Sequence, residues 1–297
     1  MRNQPPSAFP NVSPRWLLGA AGLVGIAALA CAWLVLCLLY WQGSWQLLYH
    51  PRAAIVRTPA VLDIPFEQVS FAATETGKTQ LTGWWIPAEQ PSLGSPQRFT
   101  MLYFHGANGN LSDTVDALAA MHAQSIPVFA VDYRGYGESE ALLTHGHPSE
   151  KQLRQDAEWS LTWMTLTRHI QPANILVYGS GLGANLAAEL AADHSEIAGL
   201  ILDDPKQEPL APIFKDSRSR LVPAHLLVSD RYDLSAAAKR LQVPSLWLMP
   251  RPHLPQTPTL PTAYQADRSR KSAAWLADPS ESDAHFHETL KRWIDDL

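Results

Sequence analysis

The stretch Ile175-Leu-Val-Tyr-Gly-Ser-Gly-Leu-Gly-Ala-Asn-Leu-Ala188 constrains this chain more than any other. It reads as an apolar strand, a tight glycine turn and an Ala/Leu-rich helix, the architecture of a sharp strand-to-helix elbow. In such a turn the residues two before and two after the apex must be small, because strand, turn and helix backbones approach closely there. With Gly181 at the apex those residues are Gly179 and Gly183, which fit. With Ser180 at the apex they become Tyr178 and Leu182, which do not. The reading adopted is a frame centred on Gly181, with Ser180 before the apex and its side chain directed away from it. The apex itself carries no side chain.

A chain of 297 residues suits a membrane segment followed by one α/β domain of about 250 residues. From Trp16 to Trp41 no residue is charged. As a helix these 26 residues reach about 39 Å, enough to cross a hydrocarbon core of about 30 Å with some tilt. Trp16 at one end and Tyr40, Trp41 and Trp45 at the other match interfacial aromatic anchors. The run is long for a cleaved signal peptide and no small-x-small cleavage site follows it, while Ala28-Leu-Ala-Cys31, a poor lipoprotein site, is followed by further apolar sequence. The expectation is a single-pass membrane anchor that partners the lipid bilayer. Arg2, Arg15 and the α-amine flank one side and Arg52 and Arg57 the other, a near tie that tips slightly toward an inside N-terminus. Residues 46–297 carry 21 Lys/Arg against 28 Asp/Glu, and this net acidity without a basic cluster argues against nucleic-acid binding. Both cysteines, Cys31 and Cys37, fall inside the apolar run, so the rest of the chain has neither disulfide nor thiol chemistry.

The pattern divides the chain into a polar, disordered tail (1–15), a transmembrane helix (16–41), a juxtamembrane linker (42–66) and one domain (67–297). Within the domain, Gln68–Ala73 and Thr79–Ile86 read as paired strands joined by a turn around Glu75–Lys78. Phe99–Phe104, Val128–Tyr133, Ile175–Ser180, Gly199–Leu202, Ser245–Leu248 and Ala273–Leu276 read as further strands. Leu111–Ala123, Glu150–Thr167 and His285–Asp295 read as helices, and Pro-rich 205–243 as a short lid region. Trp159 and Trp163 share one helix face and are read as core packing. Alternating strands and helices predict an α/β fold, a mostly parallel central sheet with helices on both faces.

Two further motifs carry a resemblance. Leu102-Tyr-Phe-His-Gly-Ala-Asn-Gly-Asn110 resembles the H-G-x-x-G-N loop after strand 3 of the α/β-hydrolase superfamily, and Val131-Asp-Tyr-Arg-Gly-Tyr-Gly-Glu-Ser139 its D-Y-R-G-Y-G-x-S loop after strand 4. Together with the elbow, over about residues 46–297, they make the chain similar to membrane-anchored α/β-hydrolases related to serine aminopeptidases. The resemblance implies an oxyanion hole built from the His105-Gly106-Ala107 loop and from Leu182 after the elbow, each donor worth about 3 kcal/mol. It also implies a serine at the apex, an acid after the seventh strand and a histidine before the last helix.

The histidine position is matched by His285, with His287 the alternative, whereas Gly181 stands for the serine and His253 falls where the acid belongs. Losing a triad serine alone removes about 10⁶ in rate. The expected function is therefore a membrane-anchored pseudoenzyme that keeps a pocket for a small molecule, lipid or protein partner. Two alternatives stay open: a serine esterase, thioesterase or peptidase using Ser180, His285 and Asp203 or Asp204, and a His285 general base acting without a covalent intermediate. Asp203 and Asp204, at the end of a strand, have the simpler reading of caps of a loop or a helix N-terminus. His145/His147 and His285/His287 lack accompanying ligands at zinc-site spacing, and Gly179–Gly183 lacks a P-loop lysine, so neither metal nor cofactor is expected.

Overall fold

A computed structural model describes residues 13–72, 77, 79–88, 98–139, 147–251, 259–276 and 284–297. The tail up to residue 12 lies outside these residues, as do the turn around 75–78 apart from Gly77, His145 and His253. The chain forms two compact units, Met1–Ser44 with Phe214–Ser229, and Trp45–Ile213 with Asp230–Leu297.

In the first unit, α1 (Pro14–Gly43) extends the charge-free run by two residues at each end. Ser13 caps it by accepting the Trp16 N–H, and Pro14 at the first position loses no hydrogen bond there. Thirty residues give about 45 Å, and α1 is long and apolar enough to cross a membrane. Against it packs α5 (Ala224–Leu227) of the segment 214–229.

The second unit is built on an eight-stranded sheet: β1 (Glu67–Ala72), β2 (Thr79–Ile86), β3 (Thr100–Phe104), β4 (Val128–Asp132), β5 (Ile175–Ser180), β6 (Gly199–Asp203), β7 (Ser245–Pro250) and β8 (Lys271–Leu276). Their spatial order is β1-β2-β4-β3-β5-β6-β7-β8. β2 runs antiparallel to β1 and β4, and every other pair is parallel. β3, β4 and β6 are buried at all five positions, as strands covered on both faces must be, whereas edge strand β1 alternates. β7 and β8 each run beyond their apolar stretch, because ladder pairing from Lys271–Ser245 to Leu276–Pro250 continues after the hydrophobic pattern stops.

Helices α2 (Val115–His122), α3 (Glu150–Leu166), α4 (Leu182–Asp193), α6 (Leu234–Arg240) and α7 (Ala284–Asp295) belong to this unit. The helix expected over 111–123 divides into a 3₁₀ turn, Leu111–Thr114, and α2, since a capping box at Asn110 and Asp113 fixes its start. α7 buries Phe286, Leu290 and Trp293, a 3.6-period stripe, in a core shared with Met101, Tyr178, Ile201 and Leu248. On α3, Trp163 stacks on Phe129 at 4.4 Å, which makes it a packing residue. Placing β3 beside β5 sets the loop after one against the turn after the other, and the candidate site forms there.

Candidate functional site

The elbow has the predicted frame. Gly181 adopts φ +57°, ψ −117° between β5 and α4, and its N–H donates to the Asp203 carbonyl at 2.8 Å. A Cβ at Gly179 would stand 2.2 Å from the Gly183 carbonyl oxygen, and one at Gly183 would stand 2.3 Å from that of Phe104. Both positions are closed to any side chain. At Gly181 the nearest atom to such a Cβ is the Gly106 Cα, at 3.8 Å. The apex thus has room for a side chain that it does not carry.

The loop after β3 is clamped from below by the loop after β4. His105 is buried between the rings of Tyr133 and Tyr136, its Nδ1 2.8 Å from the Gly106 carbonyl and its Nε2 3.3 Å from Asp132 Oδ1. The Tyr133 hydroxyl donates to the His105 carbonyl (2.8 Å) and the Tyr136 hydroxyl to that of Ala107 (2.9 Å). His105 is therefore scaffold, whereas Gly106, Ala107 and Asn108 of that loop line a cavity over the apex. The Arg134 Nε donates to the fully buried Asp156 on α3 at 2.6 Å. Burial nevertheless pushes the Asp156 carboxyl up to about 6, against the pull of the guanidinium.

Over the apex lies a cavity of about 420 Å³, a size suited to a small ligand. Gly181, Leu182, Gly106 and Ala107 form its floor, Leu47, Leu48 and His50 one wall, and Lys206–Pro209 with Pro212 another. The second wall is pinned to α4, where buried Asn185 exchanges two hydrogen bonds with the Lys206 backbone. The first comes from the segment read as a linker. His50 and Pro51 pair in parallel with Asn108 and Gly109, and the His50 Nδ1 lies 2.9 Å from Asn108 Oδ1. Next to them the buried Tyr49 hydroxyl donates to Asp230 at 2.6 Å and shares a hydrogen bond with Tyr232. Burial raises the Asp230 carboxyl above its usual range. Leu47, Leu48 and His50 of that segment thus line the site, and further along Arg57 is held by Asp116 in a bidentate pair. His50 and Lys206 were not singled out from sequence; a two-residue pairing has no periodicity to reveal it.

The remaining candidates are dispersed. Ser180 closes β5 opposite Asp203 in register and is not a lining residue. Asp203 is buried, with the Tyr178 hydroxyl donating to its Oδ2 at 2.9 Å. Asp204, at φ +47°, pairs with Lys206, so neither aspartate is a helix cap. His285 is exposed on the first turn of α7 and is not a lining residue either. The Nδ1 of half-buried His287 meets Gln124 Nε2 at 2.8 Å. Among the described residues no group of three or more His, Cys, Asp and Glu side chains is placed to hold a metal ion.

Solved structures share this fold. An α/β hydrolase from Vibrio vulnificus superposes with a TM-score of 0.59 at 19% identity, over 100% of this chain and 97% of that one. An acetyl xylan esterase from Paenibacillus sp. R4 gives 0.58 at 17% identity, over 87% and 93%. In sequence, an uncharacterised protein of Mycobacterium tuberculosis is 29% identical over 63% of this chain and 61% of its own length, and protein bem46 of Schizosaccharomyces pombe 29% over 61% and 59%. A multifunctional-autoprocessing repeats-in-toxin protein of Vibrio cholerae is 34% identical over 42% of this chain but 3% of its own length. The chain thus matches less than two thirds of each of these relatives. The model of the family described as serine aminopeptidase, S33, matches residues 95–276, which run from just before β3 to the end of β8 and take in the elbow and both of its supporting loops. With that sheet order and that glycine frame, the chain belongs to the serine aminopeptidase S33 family of α/β-hydrolases.

Proposed function

We propose that this protein is a membrane-anchored α/β-hydrolase-fold pseudoenzyme, which binds a small-molecule or lipid ligand in the cavity above Gly181 without serine-hydrolase chemistry. One observation carries the reading: the floor position from which a nucleophile must rise is a glycine with open space above it. Ser180 does not take its place, because a frame centred there needs small residues where Tyr178 and Leu182 stand. Backbone N–H groups at the start of α4 and in the Gly106–Ala107 loop remain suited to a polar ligand group, and Leu47 and Leu48 to an apolar one. The helix α1 serves as the anchor, with the N-terminus inside, the side favoured by Arg2, Arg15 and the α-amine.

The test is the intact mass of the full-length folded protein after exposure to a reactive fluorophosphonate. The expected result is an unmodified mass. A stoichiometric adduct mapped to Ser180 overturns the reading and establishes an esterase or peptidase with a displaced nucleophile.

A further inference from the structure

The unit that holds α1 also holds Phe214–Ser229, and their contact has a defined height along the helix. The indole Nε1 of Trp33 donates to the Leu221 carbonyl at 2.9 Å. Trp33 lies seventeen residues beyond Trp16, about 26 Å along a helix axis, close to the thickness of a hydrocarbon core. No charge intervenes, and between Leu17 and Val35 every residue but the half-buried Ala20 is exposed. Beyond Trp33 one side of α1 is covered, Leu36 half-buried and Cys37 and Tyr40 buried, while Leu38, Leu39 and Trp41 on the other side stay exposed. Indoles settle at the headgroup level, and the spacing of Trp16 and Trp33 suits one at each interface.

That height puts the segment at the bilayer surface, and its chemistry fits the place. Leu221 is 61% exposed and Leu226 84%, two large apolar side chains directed away from protein. Lys215, Arg218 and Arg220 are exposed beside them, against one acid, Asp216, which pairs with Arg218. Exposed leucines interleaved with arginines are the composition of a surface that lies in the headgroup layer.

We propose that Phe214–Ser229 is a second membrane contact, lying in the headgroup layer beside Trp33 with Leu221 and Leu226 in the acyl boundary and Arg218 and Arg220 on lipid phosphates. This rests on α1 being a membrane anchor.

The experiment uses the full chain in a Cys31→Ser, Cys37→Ala background, with an environment-sensitive fluorophore placed in turn at Leu226→Cys, Leu23→Cys and Lys239→Cys. The protein is reconstituted in phosphatidylcholine/phosphatidylglycerol vesicles carrying a spin label at acyl carbon 5. The expected result is quenching at 226 at least twofold above that at 239, together with quenching at 23. Quenching at 23 with 226 equal to 239 overturns the proposal and leaves the anchor intact. No quenching at 23 overturns the anchor and the proposal with it. Leu221→Cys gives the same reading if the label at 226 disturbs α5. Arg218→Glu with Arg220→Glu should reduce quenching at 226 in vesicles containing phosphatidylglycerol and leave it unchanged in pure phosphatidylcholine, each charge counting about fivefold. An equal effect in both lipids, or none, overturns the assignment of the arginines to phosphates.

Discussion

The two halves of the site region are held by different constraints. On the side of β3, β4 and β5 the glycine frame, the loop it abuts and the tyrosines beneath are all in place around an apex without a side chain. On the side of α7, His285 lies exposed on the first turn of the helix and His287 meets Gln124. The difference follows from what each half must satisfy. Gly179 and Gly183 are demanded by backbone atoms 2.2–2.3 Å from any Cβ, so the fold requires them with or without chemistry. Nothing in the packing of Phe286, Leu290 and Trp293 requires a histidine one residue before them. Packing alone therefore holds the glycine frame, independently of the side chains that surround it.

The strongest way to break this comparison is Gly183→Ala. The added methyl meets two backbone carbonyls, Phe104 at 2.3 Å and His105 at 2.4 Å, neither of which can rotate away. A loss of about 4 kcal/mol or more is expected, seen as a collapse of the denaturant midpoint or a failure to fold. A variant that unfolds like the parent would show that the glycines are not structural necessities.

How much of this was legible beforehand follows the same division. The strands, the elbow frame and the α/β-hydrolase fold could be read because each is local: an apolar run, a glycine spacing, a motif of fewer than ten residues. The His50 wall was hidden, since a bridge of two residues linking 50 to 108 leaves no periodic trace. So was the contact between Trp33 and Leu221, separated by 188 positions. His105 was assigned to the oxyanion loop by its neighbours, and only its burial between Tyr133 and Tyr136 shows it to be scaffold.

Asp156 sharpens the picture of the retained half. Its carboxyl titrates near 6 when folded and near 3.9 when unfolded, so the native state holds the proton more tightly. Stability contributed by this group is then fully present below about pH 4 and is lost as pH rises through about 6, by up to roughly 3 kcal/mol. Asp156→Asn should flatten this limb in unfolding curves taken between pH 4 and 6.5. An unchanged slope would mean that the Arg134 pair, rather than burial, governs the carboxyl.

Gly181→Ser asks whether the other half can still act. The hydroxymethyl group has space, but φ +57° is unfavourable for any L side chain, and a cost of about 1–2 kcal/mol is expected with the fold intact. If α7 supplies no base, the variant should hydrolyse a p-nitrophenyl ester no faster than the parent. Turnover that depends on His285, removed by His285→Ala, would show that the triad's second half was waiting only for its serine.

Ser180→Ala should change least. Ser180 is partly exposed at the end of β5 and is not a lining residue of the cavity, so the loss of its hydroxyl should move stability by no more than about 0.5 kcal/mol. Ligand affinity in the cavity, read by calorimetry for any compound that binds the parent, should also stay within twofold. The contrast with Gly181→Ser makes the small effect informative: the two residues are adjacent, yet the side chain of one would enter the cavity and that of the other does not line it. If Ser180→Ala instead abolished binding or labelling by a fluorophosphonate, the apex would have to be redrawn one residue earlier, with Tyr178 and Leu182 tolerated where only glycine fits now. The geometry at Gly179 and Gly183 argues that it will not.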